Sequence, residues 1–335
     1  MRIFARVRAG LAPALLLSAS ALAASGGSST TAFLKIGLAA RPAAMGDASV
    51  AVGGDVQGLS ANPGGMAAMD RAQAGLSYAS WLKGTSLQQV TFGMPMGSAA
   101  TIGVNVQMLS SGGLTKTVED AGGNLDTTAA AESFTASSLA AGLLIGRRVS
   151  DEFSIGTQLK FIQDTIDTSK ASGFGADIGM LWKGNHFRFG ASAVNLGPKL
   201  KDEALPSAVR VGAAIQPVGD ATMALDVIFP GDSSRQKYGL GAEYWVMKSL
   251  ALRGGYRFAG DAASNTPTAG VGINLAGATL DYALAMFGND LGQTHRVTLA
   301  YAFGQPRKST GRAGAATPSA GGPSSPPVPK VAAPA

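Results

Sequence analysis

Residues 101–108 read Thr101-Ile102-Gly103-Val104-Asn105-Val106-Gln107-Met108, with an apolar side chain at every even position and a small or polar one at every odd position. Side chains of a β-strand point alternately to its two faces, so this octet makes one apolar face and one polar face. The same alternation recurs at 235–246, 249–258 and 294–303, and more weakly from Gln73 to Gly304 in segments of about nine to eleven residues. That length is what a tilted strand needs to cross a bilayer. Fourteen such segments fit the stretch, which predicts an all-β, closed antiparallel barrel of about fourteen strands spanning a membrane.

Alternation alone does not say which face points outward. The links between segments do, because they alternate in length. Short turns are read at 95–99, 149–152, 183–185, 217–220, 247–248 and 276–277, and longer links at 110–133, 163–172, 195–205, 230–234, 260–265 and 288–293. A bacterial outer-membrane barrel has short periplasmic turns and longer external loops, and the phase fits with both chain ends on the periplasmic side. The inward set then includes Lys160, Asp177, Arg188, Arg210, Asp226, Lys237, Glu243, Arg253, Arg257 and Asp281, of mixed sign and nearly balanced. Pairing among them is expected, since an isolated charge inside a barrel is costly. Outward aromatics such as Tyr78, Phe92, Trp182, Phe189, Tyr244 and Tyr301 fall mostly near segment ends, where interfacial girdles lie.

The ends of the chain fit export. Arg2, Arg6 and Arg8 precede an apolar run, 11–22, and the small residues Ala21-Leu22-Ala23, which reads as a signal peptide over 1–24. Residues 305–335 are rich in Pro, Ala, Gly and Ser and lack apolar periodicity, as a disordered periplasmic tail does. Cysteine is absent, which excludes a lipid-anchored cysteine, disulfides and thiolate metal sites. The formal charge of +6 comes from those ends: setting aside their seven cations leaves 20 basic against 21 acidic residues, so nothing points to nucleic acid. A soluble sandwich with the same strands would be poorly soluble at 14 % charged residues.

Catalysis has no support. His186 and His295 stand alone near segment ends, no Gly-x-Ser-x-Gly elbow occurs, and the glycine pairs at 173–175 and 270–272 sit within strands. No cofactor or metal is implied.

Between signal and barrel, 25–72 is too long for a linker and too patterned for disorder. Its Phe33-Leu34-Lys35-Ile36-Gly37, the run from Arg41 through Met45 to Gly46, and Asn62-Pro63 together resemble the PorV/PorQ family, a branch of the FadL-like outer-membrane barrels. The chain departs from that pattern at Ala39, at Ser60-Ala61 and at Gly64, so the resemblance is to a divergent member. It implies that this segment plugs the lumen of a fourteen-strand barrel. It also implies an accessory or shuttle role in protein secretion of the type IX kind, with cargo or machinery proteins bound through the external loops. FadL-like relatives imply the alternative, transport of small hydrophobic molecules such as fatty acids, and Phe33, Leu34, Ile36, Leu38, Met45 and Met66 are then candidates for an apolar pocket. The residues themselves suit a plug: glycines for tight turns, Pro63 at the first helical position after an Asn62 cap, and Lys35, Arg41 and Asp47 to meet wall charges.

Overall fold

The computed structural model describes residues 31–81, 84–116, 122, 132–232, 234–259, 265–288 and 292–307. The stretch read as a signal peptide, all but the first three residues of the tail, and the middle of the 110–133 link lie outside them. A lumenal segment comes first, with 3-10 turns at Ala32–Lys35, Val56–Gly58 and Pro63–Ala68 and one short helix, α1 (Ala40–Ala44). The strands follow as β1 (Ala72–Ser80), β2 (Ser86–Met96), β3 (Ala100–Ser110), β4 (Leu114–Thr115), β5 (Ser133–Phe134), β6 (Ala136–Arg148), β7 (Phe153–Ile166) and β8 (Ser169–Lys183). Then come β9 (Phe187–Leu196), β10 (Ala208–Ile215), β11 (Ala221–Pro230), β12 (Lys237–Met247), β13 (Leu250–Phe258), β14 (Thr266–Leu275), β15 (Ala278–Met286) and β16 (Gln293–Phe303).

Among the described residues fourteen strands close one barrel, each antiparallel to its neighbours in the chain, with β1 sealing against β16; β4 and β5 pair apart as a small hairpin. Full closure leaves no unpaired edge. No helix of the described residues is long and apolar enough to cross a membrane.

Burial decides which face is which. In β3, Ile102, Val104 and Met108 are exposed on the outside while Thr101, Asn105 and Gln107 are buried. The same inversion runs round the wall: Leu76, Leu143, Leu159 and Phe174 are more than half exposed, whereas Gln158, Lys160, Asp177, Glu243, Arg253 and Asp281 are buried within. An apolar exterior around a polar interior is what lipid contact requires and water contact forbids. The apolar core is accordingly inside the lumen and belongs largely to the plug, with Leu38, Met45, Val50, Val56, Leu59 and Met66 all about 1 % exposed or less.

The link phase holds with two corrections. One further link on the long side, 81–85, joins β1 to β2. The 163–172 stretch is no loop: β7 runs on to Ile166, β8 begins at Ser169, and the chain reverses at Asp167, whose φ of 55° a short polar side chain tolerates. Its polar residues look like a loop because a strand standing beyond the bilayer is polar on both faces. Of the described residues the last, Arg307, packs at the short-turn end, on Ala67, Asp70, Ala100 and Thr101. Thr31, however, begins the plug at the opposite end: Phe33 meets Leu200 and Leu205 of the β9–β10 link, and Lys35 meets Asp232 of the β11–β12 link.

Candidate functional site

The plug descends the lumen from the long-link end to the short-turn end, and its contacts change character along the way. At the top, Phe33 is buried against Ala140, Ile162, Leu200 and Leu205, while Leu38 packs on Ala79 and Leu87. Gln107 Nε2 donates to the carbonyls of Phe33 (3.1 Å) and Ile36 (3.4 Å), so the wall holds the backbone of this turn as well as its side chains. Lys35 Nζ reaches Asp232 Oδ2 at 2.7 Å. Partial burial alone would raise the Asp232 carboxyl, but hydrogen bonds from Lys35 and Ser234 outweigh it and hold the group at about 2. A depressed carboxylate contributes above its unfolded range and loses that contribution as pH falls through about 2. Because Lys35 is partly exposed the link is weak, under about 1 kcal/mol. D232N is therefore expected to leave barrel unfolding nearly unchanged at pH 7; a loss of several degrees in an unfolding scan would contradict this.

Lower down, charges join plug to wall. Arg41 forks onto Glu243, Nε to Oε2 at 2.8 Å and Nη2 to Oε1 at 2.7 Å, and its Nη1 pairs with Asp55. Arg253 bridges Glu243 (2.6 Å) and Asp281 (2.7 Å), and Gln57 Nε2 donates to Asp281. Asp55 also caps the Val56–Gly58 turn through the amides of Gln57 and Gly58. Each buried carboxylate is thus met by a cation or an amide, the condition under which such a cluster persists.

Other predicted charges find separate partners. Asp47 accepts from Arg257 Nη1 at 2.7 Å, and Asp226 accepts from the amides of Ser49 (2.6 Å) and Val50 (2.8 Å). Lys160 pairs with Asp177 at 2.7 Å beside a β-bulge, where Val194 and Asn195 of β9 face the single residue Asp177 of β8. The bulge turns the Asn195 amide onto Asp177 at 2.6 Å, an example of an irregularity that re-aims a group. Arg188 bonds Gln216 (2.8 Å), whereas Arg210 and Lys237 have no ion pair among the described residues.

The Asn62-Pro63 reading acquires a geometry: Asn62 Oδ1 accepts from Gly64 N at 2.9 Å, and its Nδ2 donates to the carbonyls of Val50 and Met180, both at 2.8 Å. Gly46, with φ of 63°, lets the plug backbone touch the carbonyls of Leu240 and Tyr256. Met45 packs with Ala48, Ala51, Val52, Ala214 and Ala224, and Gly37 lies beside the Asp47 carboxylate. Sequence reasoning missed Asp55, Gln57 and Gln107, and with them Thr268, which accepts from the Gly46 amide at 3.0 Å, and Thr298, which accepts from the Ala40 amide at 2.9 Å. The wall members of this group occupy inward positions of the alternation, which is the signal that exposes them. His295 faces outward with Tyr282, whose hydroxyl lies 2.8 Å from Nδ1.

Two spaces flank the charged seam. Above it, a cleft of about 60 Å³ lies between the plug and Gln107, Arg210 and Ile228; on the plug side Leu34, Ile36 and Leu38 line it at the mouth, together with the polar Lys35, Asp47, Ser49, Gln57 and Ser60. Below it, a cavity of about 410 Å³ opens at the short-turn end among Arg71, Gln73, Trp245, Asn274 and Tyr301. Gln57 borders both, with Arg41 and Asp55 on the lower side, so the seam stands between them.

No protein-family description matches the chain, and no curated protein matches it. Solved structures do. The Pseudomonas putida toluene transporter TodX is 13 % identical, with a TM-score of 0.59 over 77 % of this chain and 95 % of that one. The Ralstonia pickettii toluene transporter TbuX is 15 % identical, with a TM-score of 0.57 over 82 % and 98 %. A Pseudomonas aeruginosa FadL homologue is 12 % identical, with a TM-score of 0.55 over 80 % and 98 %. The fold is the barrel that these proteins have. At these identities the likeness reaches that architecture and no further, and the PorV/PorQ branch stays a resemblance of plug residues.

Proposed function

We propose that this chain is an outer-membrane barrel that passes small hydrophobic molecules, with the plug as its gate. The observation that carries the reading is the apolar first turn of the plug at the long-link mouth. There Phe33 seals against Leu200 and Leu205, and Leu34, Ile36 and Leu38 line the cleft that leads inward. A hydrophobe arriving from outside meets that surface first, and the charged seam beneath closes the way until the plug shifts. The fold shared with toluene transporters supports the class of cargo. In cells with an intact lipopolysaccharide barrier, expression of the full chain should raise the initial uptake of a labelled monoaromatic hydrocarbon severalfold and leave uptake of a hydrophilic sugar unchanged. Equal hydrocarbon uptake with and without the protein would sink the reading.

A second reading, an accessory of protein secretion, has one observation of its own. The β4–β5 hairpin and the long β6, β7 and β8 raise a wall above the rim, tied by Lys116 to Asp167 (3.1 Å) and Glu132 (3.4 Å). Such a wall offers polar backbone and side chains to a protein partner. Cross-linking from Asp167 in native membranes that captured no exported protein would remove this reading.

A further inference from the structure

Nearly opposite Arg210 in the barrel order, Arg296 of β16 is 1 % exposed and faces the lumen. Among the described residues its Nε and Nη2 have no hydrogen-bond partner, and neither does the buried Oγ1 of Thr294, which points to the same face. Across the ladder its neighbours are Ala79 of β1 and Ala283 of β15, whose methyl groups offer no acceptor. What the guanidinium has is a ring: its carbon stands 5.3 Å from the centroid of Trp81. Trp81 meets Phe287 edge-on at 5.6 Å, and Phe287 carries Arg257 at 5.3 Å. Arg257 takes the Asp47 carboxylate. Two guanidiniums and two rings therefore share one acid among the described residues, and that acid is already hydrogen-bonded to Arg257.

A guanidinium does not shed its proton, so burial cannot neutralise it. A ring face returns only part of the lost hydration, and a buried charge without a counter-charge is costly. The unpartnered Nε–H and Nη2–H are donors of the kind that meet the two oxygens of a carboxylate, with the Thr294 hydroxyl as a third donor nearby. We propose that Arg296 is an anion site at the long-link mouth, built to take a carboxylate, either free or as the head of an amphipath. For its purpose the site rests on the transport reading: it gives a cargo with an acidic head a place to dock ahead of the seam.

The test uses Trp81 as its own reporter, in the full chain carrying W182F and W245F so that one tryptophan remains. Sodium formate, an alkyl carboxylate and the alcohol of equal chain length are titrated against its emission in detergent. A saturable response to both carboxylates and none to the alcohol supports a free-anion site; a response to the alkyl carboxylate alone supports an amphipath site. R296Q should weaken the response at least about tenfold, and R296K, which keeps the charge, should restore part of it. R210Q should leave it unchanged. A response equal for acid and alcohol, or one that survives R296Q, overturns the proposal. So does a response that appears only after D261N or D290N, which would assign Arg296 to a carboxylate of the adjoining links. Hydrocarbon uptake that persists in R296Q leaves the transport reading standing while the anion site is judged on binding alone.

Discussion

Replacing Arg253 with methionine is expected to destabilise the folded barrel by roughly 3–5 kcal/mol, since removing one partner of a buried ionic cluster strands the others. Arg253 is the only wall cation bonded to both Glu243 and Asp281 among the described residues. After its loss Glu243 keeps Arg41 from the plug, but Asp281, 0 % exposed, keeps only the amide of Gln57. Methionine fills much of the arginine stem's volume, so the loss reports charge more than packing. Urea unfolding in micelles, followed by the migration of unboiled protein on gels, measures the change. The double variant R253M/D281N removes the stranded carboxylate and should recover most of the loss, because Glu243 still meets Arg41 and no acid of the cluster is left without a cation. If R253M alone proves neutral, the seam holds nothing and the plug is fixed by packing.

How much of this was legible in the sequence depends on what each residue's role rests on. The wall was, because the alternation of Ile102, Val104 and Met108 against Thr101, Asn105 and Gln107 is dictated by strand geometry alone. So was the inward set, for the same reason: Glu243, Arg253 and Asp281 fall at positions of one parity. Which acid meets which base was not, since Arg41 and Glu243 are 202 residues apart and only barrel closure brings them together. The direction of the plug was also hidden. Nothing local in Phe33 to Gly37 says whether the turn sits at the top or bottom of a lumen; the answer comes from Leu200, Leu205 and Asp232, in links whose inward fold no periodicity encodes. Arg307 shows a contact that composition does not announce. It follows the last alternating residue, yet its guanidinium bonds the carbonyls of Ala67 and Ala100 and so ties the exit of the plug to the start of β3.

The double variant G156A/G190A is expected to dislodge the plug while leaving the wall closed. A methyl added at Gly156 would stand within 3.0 Å of the carbonyl group of Pro63, and one at Gly190 within 3.0 Å of that of Val50. These are backbone atoms, which cannot swing aside as a side-chain end can, and overpacking of this kind costs about 1–3 kcal/mol per site. One partner must yield. β7, which carries Gly156, is paired along its length with β6 and β8, and β9 is paired with β8 and β10, so the wall resists as a ladder. The plug around Val50 and Pro63 is held to the wall by fewer bonds: the amides of Ser49 and Val50 on Asp226, Asn62 Nδ2 on the Met180 carbonyl, and the carbonyls of Ala61 and Gly64 accepting from Ser192 Oγ and Ser154 Oγ. It is the part that moves. In planar bilayers the parent protein should conduct little, because the lumen is filled, and the double variant should show stepwise openings severalfold larger. Cells expressing it should become sensitive to antibiotics too bulky for an intact outer membrane. G254A is the control, since a methyl there meets nothing within 4 Å among the described residues. A double variant that keeps heat-modifiable migration yet stays as closed as its parent would mean that the plug accommodates both methyls in place. It would then be a fixed filler of the lumen, and passage past it would have to follow another route.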